Sequence, residues 1–384
     1  MNPPKPARRR VVGLLAVVVI VPIALVVVLT VGPGSSFFSN RAPAPDPTPT
    51  HRAALTPEQA GRAFLASYVD PDGRVVRRDQ DGDTVSEGQA YAMLVAVALD
   101  DRATFTAVWS WTRQNLLRPD QTLSWQWRDG GVIDASSASD ADLDAARALV
   151  LAGEAFEDAE LTAAGIRLGQ AILEVETVHT PLGRILVAGS WARQEPYAYN
   201  PSYPSPVAFA VLHKVSGDPR WLELAAGSHA ATKAVLDRHP LPPDWAEVDS
   251  RGEIQATSGA AGHTDEGVRY SYDAARMPLR YAESCSGDDV ALAARLVAPL
   301  SRAPQHAAAR TLDGEPIGTD ASVVAMAGLA AVYAASGDPE GSAAGLVAAD
   351  QVHQQDPSYY GAAWNALGQL LLTDPTLGGC PPLT

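Results

Sequence analysis

The chain is poor in sulfur and in positive charge. Only two of its 384 residues are cysteine, Cys285 and Cys380. No His or Cys pair falls at metal-ligand spacing. The eight histidines are scattered. His263-Thr264-Asp265, in a Gly-rich stretch, comes nearest to a metal or relay site and reads as a surface loop. A phosphate-cradling glycine loop is also missing. These absences point away from nucleotide, metal and cofactor chemistry. Lys and Arg number 29 against 44 Asp and Glu, a net charge of −15. The first 52 residues hold Lys5, Arg8, Arg9, Arg10, Arg41 and Arg52 against Asp46, so the remainder carries −20. Phosphate backbones need Lys and Arg, so nucleic acid is not an expected partner. An acidic body suits a neutral or cationic substrate.

Long apolar runs are confined to one place. Arg8–Arg10 precede an apolar stretch from Val11 to Val31, about 21 residues, enough to cross a ~30 Å hydrocarbon core. The basic flank 1–10 predicts a cytoplasmic N-terminus with the rest of the chain outside. A cleaved signal peptide is the rival reading. It would have a shorter apolar region and a small-x-small site, and GPGSSFFSN after Val31 offers none. The reading is an uncleaved single-pass anchor, with secretion as the alternative. Outside the cytoplasm Cys285 and Cys380 could form a disulfide tying the tail to the body, or stay as two thiols; sequence does not supply the distance.

Residues 32–57 read as a linker, since RAPAPDPTPT favours extended polyproline II. A globular domain is expected over 58–375, with 376–384 as a tail. Thr56 is placed to cap a first helix and Pro57 to open it. Apolar residues recur at helical spacing in 90–99, 103–117, 142–156, 161–175, 221–236, 290–300, 321–334 and 360–372. Strand patterns are few; Gly183–Val187 reads as a short hairpin arm. Asp100-Asp101-Arg102, Ser216-Gly217-Asp218-Pro219 and Ser336-Gly337-Asp338-Pro339 are turns. About twelve helices in antiparallel pairs predict an all-α fold, a toroid of helical hairpins with a cleft at one end.

Aromatic residues crowd the loop-like segments: Trp125 and Trp127, Trp191, Tyr197, Tyr199 and Tyr203, Trp245, Tyr270 and Tyr272. Flat rings stack on the C–H faces of sugars, but they also fill cores. Trp109, Trp111 and Trp221, on apolar helix faces, read as core. Trp125 and Tyr203, beside Gly, Pro and Ser, read as ligand-facing.

Three dispersed segments place acids near helix starts: SEGQAYAM (86–93), ASDADLDAARALVLAGEAF (138–156) and YDAARMPLR (272–280). Hydrolysis of a glycosidic bond needs a proton for the leaving oxygen and, for inversion, a second carboxylate to activate water. Glu87 suits the acid. Ser86 is placed to cap its helix, and Gly88, Ala90 and Ala92 would leave room for substrate. Asp140 and Asp144 share a helix face while Asp142 points elsewhere; Asp140 could hold a sugar hydroxyl. Asp273 suits the base, with Arg276 beside it to keep the carboxylate ionised. Pro278 would end or kink that segment. Each acid taken alone is equally an ordinary helix-start residue.

Taken in order, these segments resemble glycoside hydrolase family 8, inverting endoglucanases and relatives built on an (α/α)6 barrel. Residues 138–146 follow the family's signature except that Ala145 stands for Ile or Met. SEGQAYAM resembles the acid-bearing segment, with Gln89, Ala90 and Ala92 where Met and Gly are usual. YDAARMPLR resembles the base-bearing segment. Asn200-Pro201-Ser202-Tyr203, Leu241-Pro242-Pro243-Asp244-Trp245 and Trp125-Gln126-Trp127 also match. The resemblance spans roughly 58–375. It implies Glu87 as general acid, Asp273 as general base with Arg276 beside it, and Asp140 holding the sugar at the cleavage point. Trp125 and Tyr203 would line subsites, and Tyr272 joins the binding set.

The expectation is an extracytoplasmic, membrane-anchored endo-β-1,4-glycosidase acting with inversion on a polysaccharide, a β-glucan foremost. No metal and no cofactor are expected. Family members that trim nascent cellulose suggest a cellulose or exopolysaccharide synthase as partner. Alternatives are a xylanase, chitosanase or exopolysaccharide hydrolase of the same family, or a non-catalytic glycan-binding toroid. Methyl groups at Ala90 and Ala92 near the acid, together with the anchor, motivate the last.

Overall fold

The computed structural model describes residues 53–259, 267–284 and 286–379. The apolar run 11–31, the linker up to residue 52, His263-Thr264-Asp265 and both cysteines lie outside them. No helix among the described residues is long and apolar enough to cross a membrane.

Among the described residues twelve helices of six residues or more carry the fold: α1 (Pro57–Tyr68), α2 (Ser86–Ala98), α3 (Arg102–Asn115), α4 (Ser139–Ala155), α5 (Ala159–Val175), α6 (Pro206–Ser216), α7 (Arg220–Leu236), α8 (Met277–Ala282), α9 (Gly287–Ala294), α10 (Val323–Ala335), α11 (Pro339–Gln355) and α12 (Tyr359–Thr373); a four-residue helix, Val297–Leu300, follows α9. The even-numbered helices touch in a closed cycle, α2 to α4 to α6 to α8 to α10 to α12 and back to α2. Each odd-numbered helix packs outside a chain neighbour, except that α1 packs on α12 and so joins the two ends. The result is an (α/α) ring of six inner and six outer helices. Burial follows that plan. Almost every residue of α2, α10 and α12 is enclosed, whereas α3 and α5 bury one stripe. Small residues let the layers approach: a Cβ at Gly165 on α5 would come within 2.8 Å of the Ala146 carbonyl on α4.

Helix punctuation follows the sequence in most places. Thr56 caps α1 and exchanges a reciprocal pair of bonds with Gln59. Gly217 takes a φ of 66° after α6, and Asp101 caps α3. Three readings change. Ser86 is inside α2, whose cap position is Val85, and its hydroxyl is buried without a partner. The acids of α4 do not cap it either; Ala138 holds that position. Pro278 opens α8 rather than ending it, because a first-turn proline loses no helical hydrogen bond.

Strands are more numerous than expected. They form four small antiparallel sheets: β1 (Thr84–Val85), β2 (Gln126–Arg128) and β3 (Gly131–Asp134); β4 (Thr177–Thr180) with β5 (Gly183–Leu186); β6 (Tyr197–Tyr199), β7 (Trp245–Val248) and β8 (Ile254–Thr257); and β9 (Ala307–Arg310) with β10 (Pro316–Ala321). Only β5 had an alternating pattern to announce it. Runs of two to six residues are too short to show a period of two. Strand β1 runs directly into α2.

Candidate active site

The three acidic segments, up to 189 residues apart, meet on one side chain. Arg276 ends a 3-10 turn (Ala274–Arg276) that leads into α8. Its guanidinium is 2% exposed. Nη1 donates to Glu87 Oε1 at 2.5 Å and to Asp140 Oδ2 at 2.9 Å, and Nη2 donates to Asp273 Oδ1 at 2.6 Å. Glu87 lies in the first turn of α2 and Asp140 in the first turn of α4. The cluster therefore sits where inner helices begin, with amide N–H groups pointing towards the negative charge.

Access divides the three acids. The Glu87 and Asp273 side chains are 23% and 33% exposed, while Asp140 is 6% exposed and lies behind them. One positive charge for three carboxyls leaves the cluster short of neutrality. Loss of water pushes Asp273 up to about 7; the charges of Asp244, Glu87 and Asp140 add to that, and Arg276 opposes it. Burial likewise pushes Asp140 up to about 6, with Arg276 opposing and Glu87 and Asp144 reinforcing. The expectation that Arg276 alone would hold Asp273 ionised is corrected: its charge is shared three ways, and desolvation outweighs Asp273's part. Both carboxyls therefore hold protons more tightly than an ordinary aspartate does.

Asp142 is separated from this group, as its helical phase predicts. It accepts the Leu123 N–H at 2.8 Å and neighbours Glu176, and burial beside that second acid raises its pKa. Gly88 does not open a path for substrate, since a Cβ there would meet the Tyr359 hydroxyl at 2.3 Å. Ala90 and Ala92 are fully buried in the core, so their methyl groups do not crowd the site.

The aromatic residues also divide. The Trp125 carbonyl accepts the Ser86 N–H at 2.9 Å, which sets Trp125 beside the Glu87 turn. The Arg276 guanidinium lies over the Tyr203 ring at 5.4 Å, and Trp245 meets that ring edge-on. Tyr272, next to Asp273, is 45% exposed and packs edge-on against Tyr360. Trp191, largely exposed, donates through Nε1 to the Ser137 carbonyl just before α4. By contrast Tyr199 and Tyr270 are buried, and Trp127 is held between Arg74 and Trp111. Trp109, Trp111 and Trp221 belong to the core.

Three contributors were not singled out from sequence. Tyr91, one turn past Glu87, donates its hydroxyl to the Glu87 carboxylate and receives Arg276 Nη1 at 3.1 Å. Its i+4 spacing from Glu87 was the available signal. Asp244 accepts the N–H groups of Ser271 and Ala274, at 2.8 and 2.9 Å, and the Ser271 hydroxyl; it fixes the loop that presents Asp273. Its segment was visible as Leu241–Trp245, but its partner was not. Tyr360 donates to the Tyr272 carbonyl at 3.1 Å. Among the described residues no group of three or more His, Cys, Asp or Glu has a metal-holding arrangement.

The surrounding chain is not unique to this protein. An endo-beta-1,4-glucanase from Acetobacter xylinum shares its fold with a TM-score of 0.68 and 25% identity, covering 82% of this chain and 97% of that one. A beta-1,3-1,4-glucanase from Paenibacillus sp. X4, at 16% identity, has the same fold with a TM-score of 0.71 over 86% and 96%. In sequence, an endoglucanase of Xanthomonas axonopodis pv. citri is 33% identical over 70% of this chain and 71% of its own. A probable endoglucanase of Novacetimonas hansenii is 30% identical over 65% and 72%. Residues 51–368 match the family described as Glycosyl hydrolases family 8. The chain belongs to glycosyl hydrolase family 8 and is a glycosidase.

Proposed function

We propose that the protein is an endo-acting β-1,4-glucanase that cleaves its polysaccharide by single displacement with inversion. The observation that carries this reading is the gathering of Glu87, Asp140 and Asp273 on Arg276, two of them open to solvent and one behind. Glu87 gives its proton to the glycosidic oxygen as that bond breaks. Asp273 takes a proton from water as the water oxygen attacks the anomeric carbon from the opposite face. Asp140 is too enclosed to activate bulk water and holds the sugar at the cleavage point. Trp125, Tyr203 and Tyr272 supply stacking faces for the neighbouring sugars. The names of relatives, several of them endoglucanases, favour a β-1,4-glucan over xylan or chitosan. The non-catalytic toroid loses one of its two motives, because Ala90 and Ala92 belong to the buried core.

The site of action in this proposal is the outer face of a cell membrane, with 11–31 as anchor and 32–56 as tether; a β-glucan synthase in the same membrane would be the supplier of chain. Product analysis of the full chain on cellulose, mixed-linkage glucan, xylan and chitosan tests the substrate. Proton NMR of the first-formed anomer tests the stereochemistry: an α product is expected, and a retained β product overturns single displacement.

A further inference from the structure

Below the catalytic cluster the ring interior is not wholly apolar. Three buried ion pairs stand in a column between α4 and the segment formed by the Ala274–Arg276 turn and α8. Asp140 meets Arg276 at 2.9 Å. Asp144 meets Arg280 through two bonds, at 2.9 and 2.5 Å. Arg147 meets Glu283 through two more, at 2.9 and 2.7 Å. The sequence writes this column: Asp140, Asp144 and Arg147 recur at four and three on one face of α4, and Arg276, Arg280 and Glu283 repeat that spacing opposite. The top rung belongs to the site. The bottom rung is 0% exposed on both sides, and Arg147 also reaches the Leu377 carbonyl at 2.6 Å.

The middle rung has no part in the site as described. Asp144 and Arg280 are 2% and 3% exposed, and the Arg280 guanidinium lies over the Trp364 ring at 5.7 Å. Stability does not explain it, because an apolar pair of similar volume is commonly as stable as a buried ion pair or more so. Position does. Helix α8 has six residues and follows a three-residue 3-10 turn. A segment that short has little rigidity of its own. Yet Arg276 must satisfy three carboxyls from three parts of the chain at once. Arg280 lies one helical turn further on, and its two-pronged bond to Asp144 fixes both distance and angle, which a lysine's single ammonium does not.

We propose that the Asp144–Arg280 pair is the positioning device that sets where Arg276 presents its guanidinium to Glu87, Asp140 and Asp273. The proposal rests on the functional reading of Glu87 and Asp273. Neither member of the pair touches substrate; both act through Arg276. Charged and titratable groups facing Arg280 are Asp144 on α4, Glu283 on its own helix and Tyr91 on α2. Those facing Asp273 are Arg276, Asp244, Glu87 and Asp140, with the Tyr203 and Tyr360 hydroxyls.

The experiment compares rungs in the full chain. Arg280→Lys keeps the charge and removes the fork. It should lower kcat by roughly 10- to 100-fold, the scale of an ångström of misplacement, with KM within about twofold. The double change Arg147→Met with Glu283→Leu removes a pair of the same kind one rung lower, and should leave kcat within about twofold. Equal losses from both rungs, or an unchanged kcat in Arg280→Lys, overturn the proposal. A readout independent of turnover is the carboxyl carbon-13 titration of Asp273. Arg276 opposes proton uptake there, so Arg280→Lys should move the midpoint upward and the lower double variant should not. If the protein cleaves none of the four polysaccharides, the function is wrong, while the titration still decides the positioning claim: an unmoved midpoint sinks it.

Discussion

The top and bottom of this charge column use the same groups to opposite ends. At the bottom one arginine meets one carboxylate, bidentate and fully enclosed, and every charge is cancelled. At the top one arginine serves three carboxyls, two of them partly open to water. The bottom rung is inert because it is balanced. The top rung is deficient in positive charge, and that deficit, with burial, raises the proton affinity of Asp273 and Asp140. The contrast says that a buried Arg–carboxylate contact does not by itself mark a reactive site; the ratio of charges and the access of water do.

The largest effect should come from neutralising the top. Glu87→Gln or Asp273→Asn is expected to cut kcat on a soluble β-1,4-glucan by about 10²- to 10⁴-fold, the usual contribution of a general acid or base. Steady-state kinetics with circular dichroism as a folding check measures this. A variant that keeps more than about a tenth of the activity would remove that residue from the chemistry. The bottom should respond in the other currency. Glu283→Gln leaves the Arg147 charge buried and unpaired and should cost about 3–5 kcal/mol by urea unfolding, with the folded fraction still turning over normally. If it also abolishes turnover in fully folded protein, the separation of roles fails.

Proton uptake sharpens the comparison further. Asp273, at about 7, and Asp140, at about 6, lie above the ordinary range near 3.9 of an unfolded chain. Between those values the folded protein binds more protons than the unfolded one. Stability from these two groups is therefore complete below about pH 4 and lost as pH rises through 6 and 7. Asp273→Asn should flatten that part of the profile, whereas changes at the Arg147–Glu283 rung should not. Activity should run the other way: kcat/KM should fall about tenfold per pH unit on the acid side of 7, as the base is protonated. The smallest effect is expected from Ala90→Gly or Ala92→Gly. Each should cost about 1 kcal/mol of helix stability and leave the ranking of polysaccharides unchanged.

The helices were legible because their apolar stripes are long; α2, α5 and α12 begin and end close to where the pattern puts them. Helix α8 was not, because six residues around a proline show no stripe. The strands escaped for the same reason of length. Among the site residues, the identities of Glu87, Asp140, Asp273 and Arg276 were readable, as was the shared face of Asp140 and Asp144. Their hub was not. Arg276 looked like a local i,i+3 partner of Asp273, and nothing in one sequence says that its other nitrogen reaches 136 and 189 residues away. Proton affinity was missed for a related reason, since it depends on burial and on the sum of distant charges.

The contact of α12 with both α1 and α2 has a consequence for how this chain is made. Five inner helices can leave the ribosome and still enclose nothing. The gap in the ring is filled only when residues 359–373 emerge, and they must then find a partner near residue 60. Closing that span is a high-contact-order step, so acquisition of the native core waits until α12 has emerged. A chain stalled before α12 would present the apolar flanks of α2 and α10 to quality control. For the same reason a permuted gene, with new ends cut between two other hairpins and the old ends joined, should shift which helix arrives last without altering the finished ring.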